Sequence, residues 1–195
     1  MIKARPALYL SCGVLRAELD ELQKRGKIEG DLLYLDSMLH MKPVALEKIL
    51  VTEMEKHSSE IMPIVLVYGD CCSHMLDLVR KYKAGRVNAI NCAQMLTGKE
   101  RYRELMHAEA FILLPEWAVR WKDIMKTELG LSPEIARELM GENRNELVYL
   151  DTGLSEVPEK ELAECAEFTG LPWRAEKAGL DNLLLLLAEA RDALS

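Results

Sequence analysis

Short apolar runs alternate with longer amphipathic stretches along the whole sequence, and this alternation limits the possible folds more than any other feature. The short runs are rich in Val, Ile and Leu, which favour strands, whereas apolar residues in the longer stretches recur at helical spacing. Such alternation is typical of parallel sheets, because each crossover between parallel strands needs a long connection. The sequence therefore predicts a three-layer, doubly wound (Rossmann-like) α/β fold with a mostly parallel sheet of about six or seven strands.

The predicted strands begin with the run Ala7 to Ser11 and continue at residues 28–35, 63–68, 87–90, 110–114, 146–153 and 171–173. The run at 63–68 has no polar face and should lie at the centre of the sheet. The predicted helices cover residues 14–25, 43–54, 73–83, 92–96, 116–143 in two parts, 158–168 and the segment after Gly179. Because no low-complexity linker or repeat divides the chain, residues 1–195 are predicted to form a single domain.

The charge balance restricts the partners of this chain. It has 195 residues, with 25 Lys and Arg against 32 Asp and Glu, and a formal net charge of −7. Nucleic acids and anionic membranes bind cationic surfaces, so both are unlikely partners on physical grounds. The longest apolar run, 183–188, is far shorter than the roughly 20 residues that span a bilayer. Residues 1–6 lack the apolar core of a secretory signal, and we expect a cytoplasmic protein.

Five cysteines form an odd set, at positions 12, 71, 72, 92 and 165, with no C-x-x-C spacing. This pattern fits neither a disulfide framework nor a zinc ribbon, and it predicts reduced thiols. Cys12, Cys71 and Cys92 follow three different predicted strands, and His40 follows the second strand. Because the carboxyl ends of parallel strands meet at one edge of the sheet, we expect these four side chains to converge at one pocket.

This predicted cluster contains the donors of a soft metal centre. Three thiolates and the imidazole of His40 would complete a tetrahedral zinc site, with His40 either a ligand or a residue that supports one. Three thiolates alone would hold an iron–sulfur cube with one open iron. A helix N-terminus also favours the thiolate form of cysteine, which is the form that binds metal. The leading prediction is metal binding through Cys12, Cys71 and Cys92, with zinc and an iron–sulfur cluster both open.

The cysteines could instead be structural residues that only fill space in a core. Two other functional interpretations also stay open. In the first, Cys71 or Cys72 forms a redox disulfide with Cys12 or Cys92. The second is a small-molecule site without metal.

The small-molecule interpretation rests on Gly13, Gly69, Thr152 and Gly153, where backbone could approach a ligand closely. If the metal centre is catalytic, Tyr68, Tyr102 and Trp117 would close its pocket against water. The sequence has no G-x-G-x-x-G after the first strand, no P-loop motif and no G-x-S-x-G. Ordinary dinucleotide-binding, P-loop and hydrolase functions are therefore disfavoured, while enzymatic activity itself stays open.

Short blocks of residues follow one another along nearly the whole chain: Cys12-Gly13-Val14-Leu15 with Glu18-Leu19, Leu35-Asp36 with Leu39-His40 and Pro43, Tyr68-Gly69-Asp70-Cys71, Asn91-Cys92 with Leu96, Gly98, Arg101 and Tyr102, Pro115-Glu116-Trp117, and Tyr149-Leu150-Asp151-Thr152-Gly153. Together they resemble an uncharacterised family of bacterial and archaeal proteins, known as a domain of unknown function. The resemblance implies that Cys71 rather than Cys72 belongs to the site, together with Cys12, His40 and Cys92. Members of this family are often encoded near corrinoid-dependent methyltransferases of anaerobes. The resemblance therefore also implies a role in corrinoid or methyl-transfer metabolism, with a corrinoid protein or a methyltransferase as partner.

Overall fold

The computed structural model describes residues 6–58 and 62–194. The chain divides into two compact units, of which the first contains residues 1–95 and 180–195 and the second contains residues 96–179. The prediction of a single domain over residues 1–195 stays a prediction. Residues 1–5, on which the expectation of no export signal largely rests, lie outside the described part. None of the helices in the described part combines the length and the apolar character that crossing a bilayer requires.

The helices, in chain order, are α1 (Arg16–Lys24), α2 (Pro43–His57), α3 (Met75–Tyr82), α4 (Cys92–Thr97), α5 (Lys99–His107), α6 (Pro115–Val119), α7 (Pro133–Asn143), α8 (Glu159–Thr169) and α9 (Asp181–Asp192). Proline occupies an early position in α2, α6 and α7, where its missing N–H breaks no helical hydrogen bond. Short 3₁₀ turns at Gly13–Leu15 and Ser37–Met41 follow the first two strands, and a π-helix covers Asp123–Glu128.

Four parallel strands form the sheet of the first unit: β1 (Ala7–Cys12), β2 (Gly30–Leu35), β3 (Ile64–Val67) and β4 (Gly85–Arg86). Their order across the sheet is β2-β1-β3-β4, and Leu10 of β1 lies between Leu33 of β2 and Leu66 of β3. All residues of β1 and β3 are buried, as expected for central strands that are covered on both faces.

The strand order creates a topological switch point between β1 and β3. The first connection carries the chain from β1 to β2 on one side, and β3 then pairs with β1 on the other side. In open parallel sheets, ligands bind in the crevice beyond the carboxyl ends of the two strands at such a point. Cys12 ends β1 and Cys71 follows β3 closely, so the strand order brings both residues to this crevice.

The last helix of the chain, α9, completes the first unit by packing against β3 and β4. The side-chain amide of Asn182 donates a hydrogen bond to the carbonyl oxygen of Met95 at 2.9 Å. A Cβ added to Gly85 would lie only 2.2 Å from the carbonyl oxygen of Ala190. A residue without a side chain is therefore required in β4 for this close approach.

The second unit has its own sheet of three parallel strands: β5 (Ala110–Leu113), β6 (Glu146–Asp151) and β7 (Trp173–Lys177), in that order. Its core is apolar and includes the rings of Trp121 and Phe168, whose centroids are 5.2 Å apart. Cys165 is fully buried in this core, as the sequence suggests for a residue on an apolar helix face.

The predicted α/β class with parallel strands is confirmed, but the strands form two sheets of four and three rather than one sheet of six or seven. The predicted strand at 87–90 is wrong, because the pairing residues are Gly85 and Arg86 and the N–H of Ala89 bonds to the carbonyl of Val87 in a turn. Helix α5 is not predicted at all. Its only buried residue is Leu105, so it lacks the apolar stripe on which helix prediction depends.

Glu176 on β7 binds two arginines of the second unit. Its carboxylate accepts hydrogen bonds from Nε and Nη2 of Arg101, both at 2.6 Å, and from Nη1 of Arg174 at 2.6 Å. These bonds, those from Arg101 first, lower the pKa of Glu176 to about 2 from an ordinary value of 4.5. The side chain of Glu176 is only 17% exposed, so solvent screens the cluster incompletely.

Replacement of Glu176 by glutamine is expected to lower the free energy of unfolding at neutral pH by about 1–2 kcal/mol, after a discount for the exposure of Arg101. A carboxyl whose pKa is depressed in the folded state stabilises it above the unfolded pKa, and this contribution is lost as pH falls from about 4.5 toward 2. Urea unfolding of both proteins at several pH values measures the difference. A difference that does not shrink below pH 4.5 would contradict the role of this charge cluster.

Candidate functional site

The thiols of Cys12 and Cys92 are in direct contact. Cys12 is the last residue of β1, Cys92 is the first residue of α4, and both are buried. The Cys92 thiol hydrogen-bonds to the sulfur of Cys12, which raises the pKa of Cys92 above its ordinary value, with burial as the second cause. The fold therefore brings together two of the cysteines that the sequence places after different strands.

Cys71 is the third thiol of this group. Burial, and then the neighbouring Cys12, raise the pKa of Cys71 to about 11, and its sulfur accepts a hydrogen bond from the N–H of Gly69. Charge on Cys71 also acts on Cys92. We call Cys12, Cys71 and Cys92 the thiol cluster. Cys71 is its most exposed member, since it is half-buried while the other two are buried.

Cys72 is oriented differently from its neighbour. Burial and then the carboxylate of Glu47 raise its pKa, and its sulfur accepts a hydrogen bond from the backbone N–H of His74. Adjacent residues on this turn therefore direct their sulfurs toward different backbone donors, Gly69 for Cys71 and His74 for Cys72. This difference is the geometric reason to distinguish the two cysteines, which sequence spacing could not do.

The thiols do not show the bias toward thiolate that the sequence predicts. α3 begins at Met75, so Cys71 does not occupy a helix N-terminus, and the pKa of Cys71 and that of Cys92 are both raised. Burial disfavours a charged sulfur, and a second sulfur nearby adds repulsion between like charges. Cys71 and Cys92 are therefore protonated at neutral pH.

Tyr68 lies directly after β3 and is 1% exposed. Its buried hydroxyl makes no hydrogen bond with any residue in the described part of the chain. Burial raises its pKa most, and charges on Cys12, Cys92, Cys71 and Cys72 raise it further in that order. The hydroxyl therefore lies within electrostatic reach of all four sulfurs.

Two segments that carry cluster cysteines are fixed to each other by backbone contacts. The N–H of Asp70 donates to the carbonyl of Ile90 at 2.9 Å. A Cβ on Gly69 would lie 2.2 Å from the same oxygen and 2.6 Å from the nitrogen of Asn91. Only glycine fits at position 69, and its close approach holds the loop of Cys71 against the loop of Cys92.

Arg86 links the same two loops through its guanidinium group. Nε donates to the carbonyl of Tyr68 at 3.0 Å, while Nη2 donates to the carboxylate of Asp70 at 2.6 Å and to the carbonyl of Ala89 at 3.2 Å. Sequence analysis did not select Arg86, because an arginine at a strand end usually lies in solvent. A charged residue directly before the run at 87–90 is the sequence signal for it.

His40 lies in the 3₁₀ turn after β2 and is half-buried. Its Nδ1 is 2.6 Å from the carbonyl oxygen of Ser37. Because a carbonyl only accepts, Nδ1 carries the proton, and the lone pair of the neutral ring is on Nε2. Metal-binding histidines commonly have this arrangement, but a role of His40 as ligand stays a prediction.

Glu18 is a site residue that the metal prediction omitted. It lies in the first turn of α1, is 1% exposed, and its charge raises the pKa of Cys92. The sequence contains a signal for it, since Leu15, Glu18, Leu19 and Leu22 share the helical spacing of an apolar face. An acidic residue on such a face is buried, and buried acids are uncommon without a specific role.

The other predicted cofactor-binding residues lie in several places. Gly13 packs against backbone, since a Cβ there would be 2.9 Å from the carbonyl oxygen of Leu35. Tyr102, on α5, and Trp117, on α6, are half-buried and belong to the second unit. The proposed contacts of Gly13, Tyr102 and Trp117 with a ligand stay predictions.

A cavity of about 530 Å³ opens beside the thiol cluster, within the first unit. Its lining combines Cys71 and Cys72 with apolar Leu76 and charged Asp70 and Arg80. Cavities of this size accommodate small molecules. Cys71 is therefore the cluster thiol that a ligand from solvent would meet.

The described residues contain no group of three or more His, Cys, Asp or Glu side chains already arranged as a metal ligand set. The cluster thiols would therefore have to move to share one ion. The chemistry of the donors fits a soft metal, because protonated thiols in a buried cluster become ligands on losing their protons to solvent.

Comparison with known protein families matches residues 34–187 to a family described as "Protein of unknown function (DUF1638)". The match includes His40, Cys71 and Cys92, while β1 and Cys12 precede it. Comparison with curated proteins gives no match, and neither does comparison with solved structures.

Proposed function

The chain belongs to the DUF1638 family, and we propose that it binds a soft metal centre, an iron–sulfur cluster or zinc, through Cys12, Cys71 and Cys92. One observation carries this proposal: the Cys12 and Cys92 sulfurs are hydrogen-bonded to each other, and Cys71, from a third segment, lies within electrostatic reach of both. A switch-point crevice is the usual ligand site of such sheets. Cysteines that only fill space have no reason to gather at this one position.

Three protein thiolates leave one position of the centre open. In a zinc site a solvent molecule in that position would keep it exchangeable, whereas His40 or Glu18 as fourth ligand would close it, and in an iron–sulfur cube one iron would lack a cysteine. An open position supplies Lewis-acid or electron-transfer chemistry to a bound molecule. The cavity next to Cys71 supports access from solvent to that position. The proposal leaves open whether the centre is catalytic.

A role in corrinoid or methyl-transfer metabolism is the finer part of the proposal, and it rests on the family resemblance. In this role the centre serves a corrinoid protein or a methyltransferase as partner, and a corrinoid is a second cofactor to consider. Co-purification of the anaerobically prepared chain with a corrinoid protein from the same cells tests this part. Recovery of neither a corrinoid nor a methyltransferase would remove it and leave the metal proposal intact.

Thiol redox chemistry is the second candidate, because the contact between Cys12 and Cys92 also favours a disulfide. Such a disulfide needs loss of both thiol protons and of two electrons to an external oxidant. The raised pKa of Cys92 works against this reaction, since the thiolate is the attacking form. The metal centre is therefore the better-supported function.

We expect the anaerobically purified wild-type chain to contain about one centre per chain, as zinc or as iron with acid-labile sulfide. Elemental analysis and visible absorption distinguish the two metals. Binding should release protons, because the raised pKa of Cys71 and that of Cys92 keep both thiols protonated beforehand. A preparation without metal, whose Cys12 and Cys92 form a reversible disulfide under mild oxidant, would support redox chemistry instead.

A further inference from the structure

The hydroxyl of Tyr68 is a buried hydrogen-bond donor for which the described residues provide no acceptor. Leaving a buried polar group without a partner destabilises a folded protein by roughly 1–3 kcal/mol. Native structures contain few such groups, and many of them face a ligand, ion or water. An acceptor from outside the chain would explain why this hydroxyl is retained.

Tyr9 shows how the fold treats an equally buried tyrosine. It is 1% exposed and lies on β1, next to β3 in the sheet. Its hydroxyl has a hydrogen bond with Arg191, which opposes the effect of burial on its pKa. Among the residues that the structure describes, the first unit therefore supplies a partner to one buried phenol and none to Tyr68.

The surroundings of Tyr68 indicate which acceptor is missing. The hydroxyl is within electrostatic reach of the thiol cluster and of Cys72, yet it hydrogen-bonds to none of these sulfurs. In the described part of the chain no carboxylate or carbonyl accepts a hydrogen bond from it either. A donor directed into a thiol cluster is suited to an anion that is bound there with a metal.

We infer that the Tyr68 hydroxyl donates a hydrogen bond to an anion of the bound centre that is not part of the chain. This inference rests on the proposed function and names a further feature of the same site. The anion is an inorganic sulfide in an iron–sulfur cluster or a hydroxide on zinc, and both share the chemistry of a metal-bound anionic acceptor. Tyr68 is then a positioning residue that stabilises the centre without being a ligand.

Tyr68→Phe tests this inference because its effect should have opposite signs in the two states. Without metal, removal of an unpartnered hydroxyl should leave the melting temperature unchanged or raise it by a few degrees. With metal bound, the variant should lose the metal to a chelator about 10-fold faster than the wild type does. Replacing residues that hydrogen-bond to the ligands of a metal typically has an effect of this size. Tyr9→Phe is the matched control, and it should lower the melting temperature and keep the metal as long as the wild type does.

Two spectroscopic measurements identify the anion and exclude a merely structural effect. If iron and sulfide form the centre, Tyr68→Phe should make its reduction potential more negative, and vibrational bands that shift with heavy sulfide should move. If zinc is bound, the cobalt-substituted protein should change colour at a higher pH in the variant, because bound water loses a hydrogen bond that favours its deprotonation.

Several outcomes overturn the inference. Equal metal retention by the wild type and Tyr68→Phe would do so, as would a metal-free Tyr68→Phe that melts as low as Tyr9→Phe. A shift confined to the metal–cysteine vibrations would also do so, because the acceptor is then a cysteine sulfur. A wild-type chain that binds neither zinc nor iron with sulfide overturns the proposed function itself, which is a separate result.

Discussion

Replacement of Cys92 by alanine is expected to abolish metal binding and to leave the metal-free chain folded. Cys92 is buried and its thiol hydrogen-bonds to Cys12, another member of the thiol cluster. Loss of a small buried group costs about 1–2 kcal/mol of stability. Loss of a ligand should weaken metal affinity by more than about 100-fold, because replacing a residue that only hydrogen-bonds to a ligand can already weaken it by that factor. Metal per chain after anaerobic purification, and competition with a chelator, measure this effect.

Cys165→Ala is the matched control for this experiment. Cys165 is also a buried cysteine, and burial raises its pKa to about 12, but it lies in the core of the second unit. Its replacement should cost similar stability and leave metal content unchanged. We expect Cys12→Ala and Cys71→Ala to behave as Cys92→Ala does. Equal metal content in Cys92→Ala and Cys165→Ala would refute metal binding by the thiol cluster.

Gly69→Ala is expected to destabilise the first unit by about 3 kcal/mol, near the upper end for added volume in a packed site. The new Cβ would meet three backbone atoms of Ile90 and Asn91, at 2.2, 2.4 and 2.6 Å. Backbone cannot rotate away as a side chain can, so the two loops must separate. Separation increases the distance from Cys71 to Cys92, and metal affinity should fall together with stability. Thermal unfolding should show a melting temperature lower by about 6–12 °C.

Gly141→Ala controls for the general effect of adding a methyl group to a glycine. Gly141 lies in α7 with a negative φ, and a Cβ there would meet no atom within 4 Å. Alanine should stabilise this helix by about 0.5–1 kcal/mol. Because the two glycines lie in different units, probes in each unit should be followed separately. A Gly69→Ala protein as stable as the wild type would show that the loops tolerate separation.

The strands with continuous apolar runs could be predicted from the sequence because their burial dictates their composition. The run at 63–68, which should lie at the centre of a sheet, includes β3, paired on both sides. The placement of Cys12 at the end of β1 and of Cys71 in the loop after β3 follows from the same patterns, combined with the rule for parallel sheets. Cys92 was placed after a strand at 87–90, whereas β4 ends at Arg86 and Cys92 begins α4.

The pairing between strands and the chemistry of the site could not be predicted in the same way. The strands form two sheets rather than one because of contacts between segments that are distant in the sequence. The periodicity of apolar residues identifies strands but does not indicate which strands pair. The guanidinium of Arg86 binds three acceptors that are visible only when the loops of Cys71 and Cys92 have met. The raised pKa of Cys71 likewise depends on burial and on Cys12, which is distant in sequence. From the helix N-termini alone the sequence predicted thiols biased toward thiolate, whereas the pKa of Cys71 and that of Cys92 are raised.

The return of α9 to β3 and β4 has a consequence for synthesis of the chain on the ribosome. Residues 96–179, which form the whole second unit, must be translated before Leu180 and the residues after it. At roughly 5–20 residues per second, those 84 residues take about 4 to 17 seconds. During that interval the apolar faces of β3 and β4 that α9 covers have no partner from the end of the chain. The first unit is therefore completed only after the second unit has been synthesised.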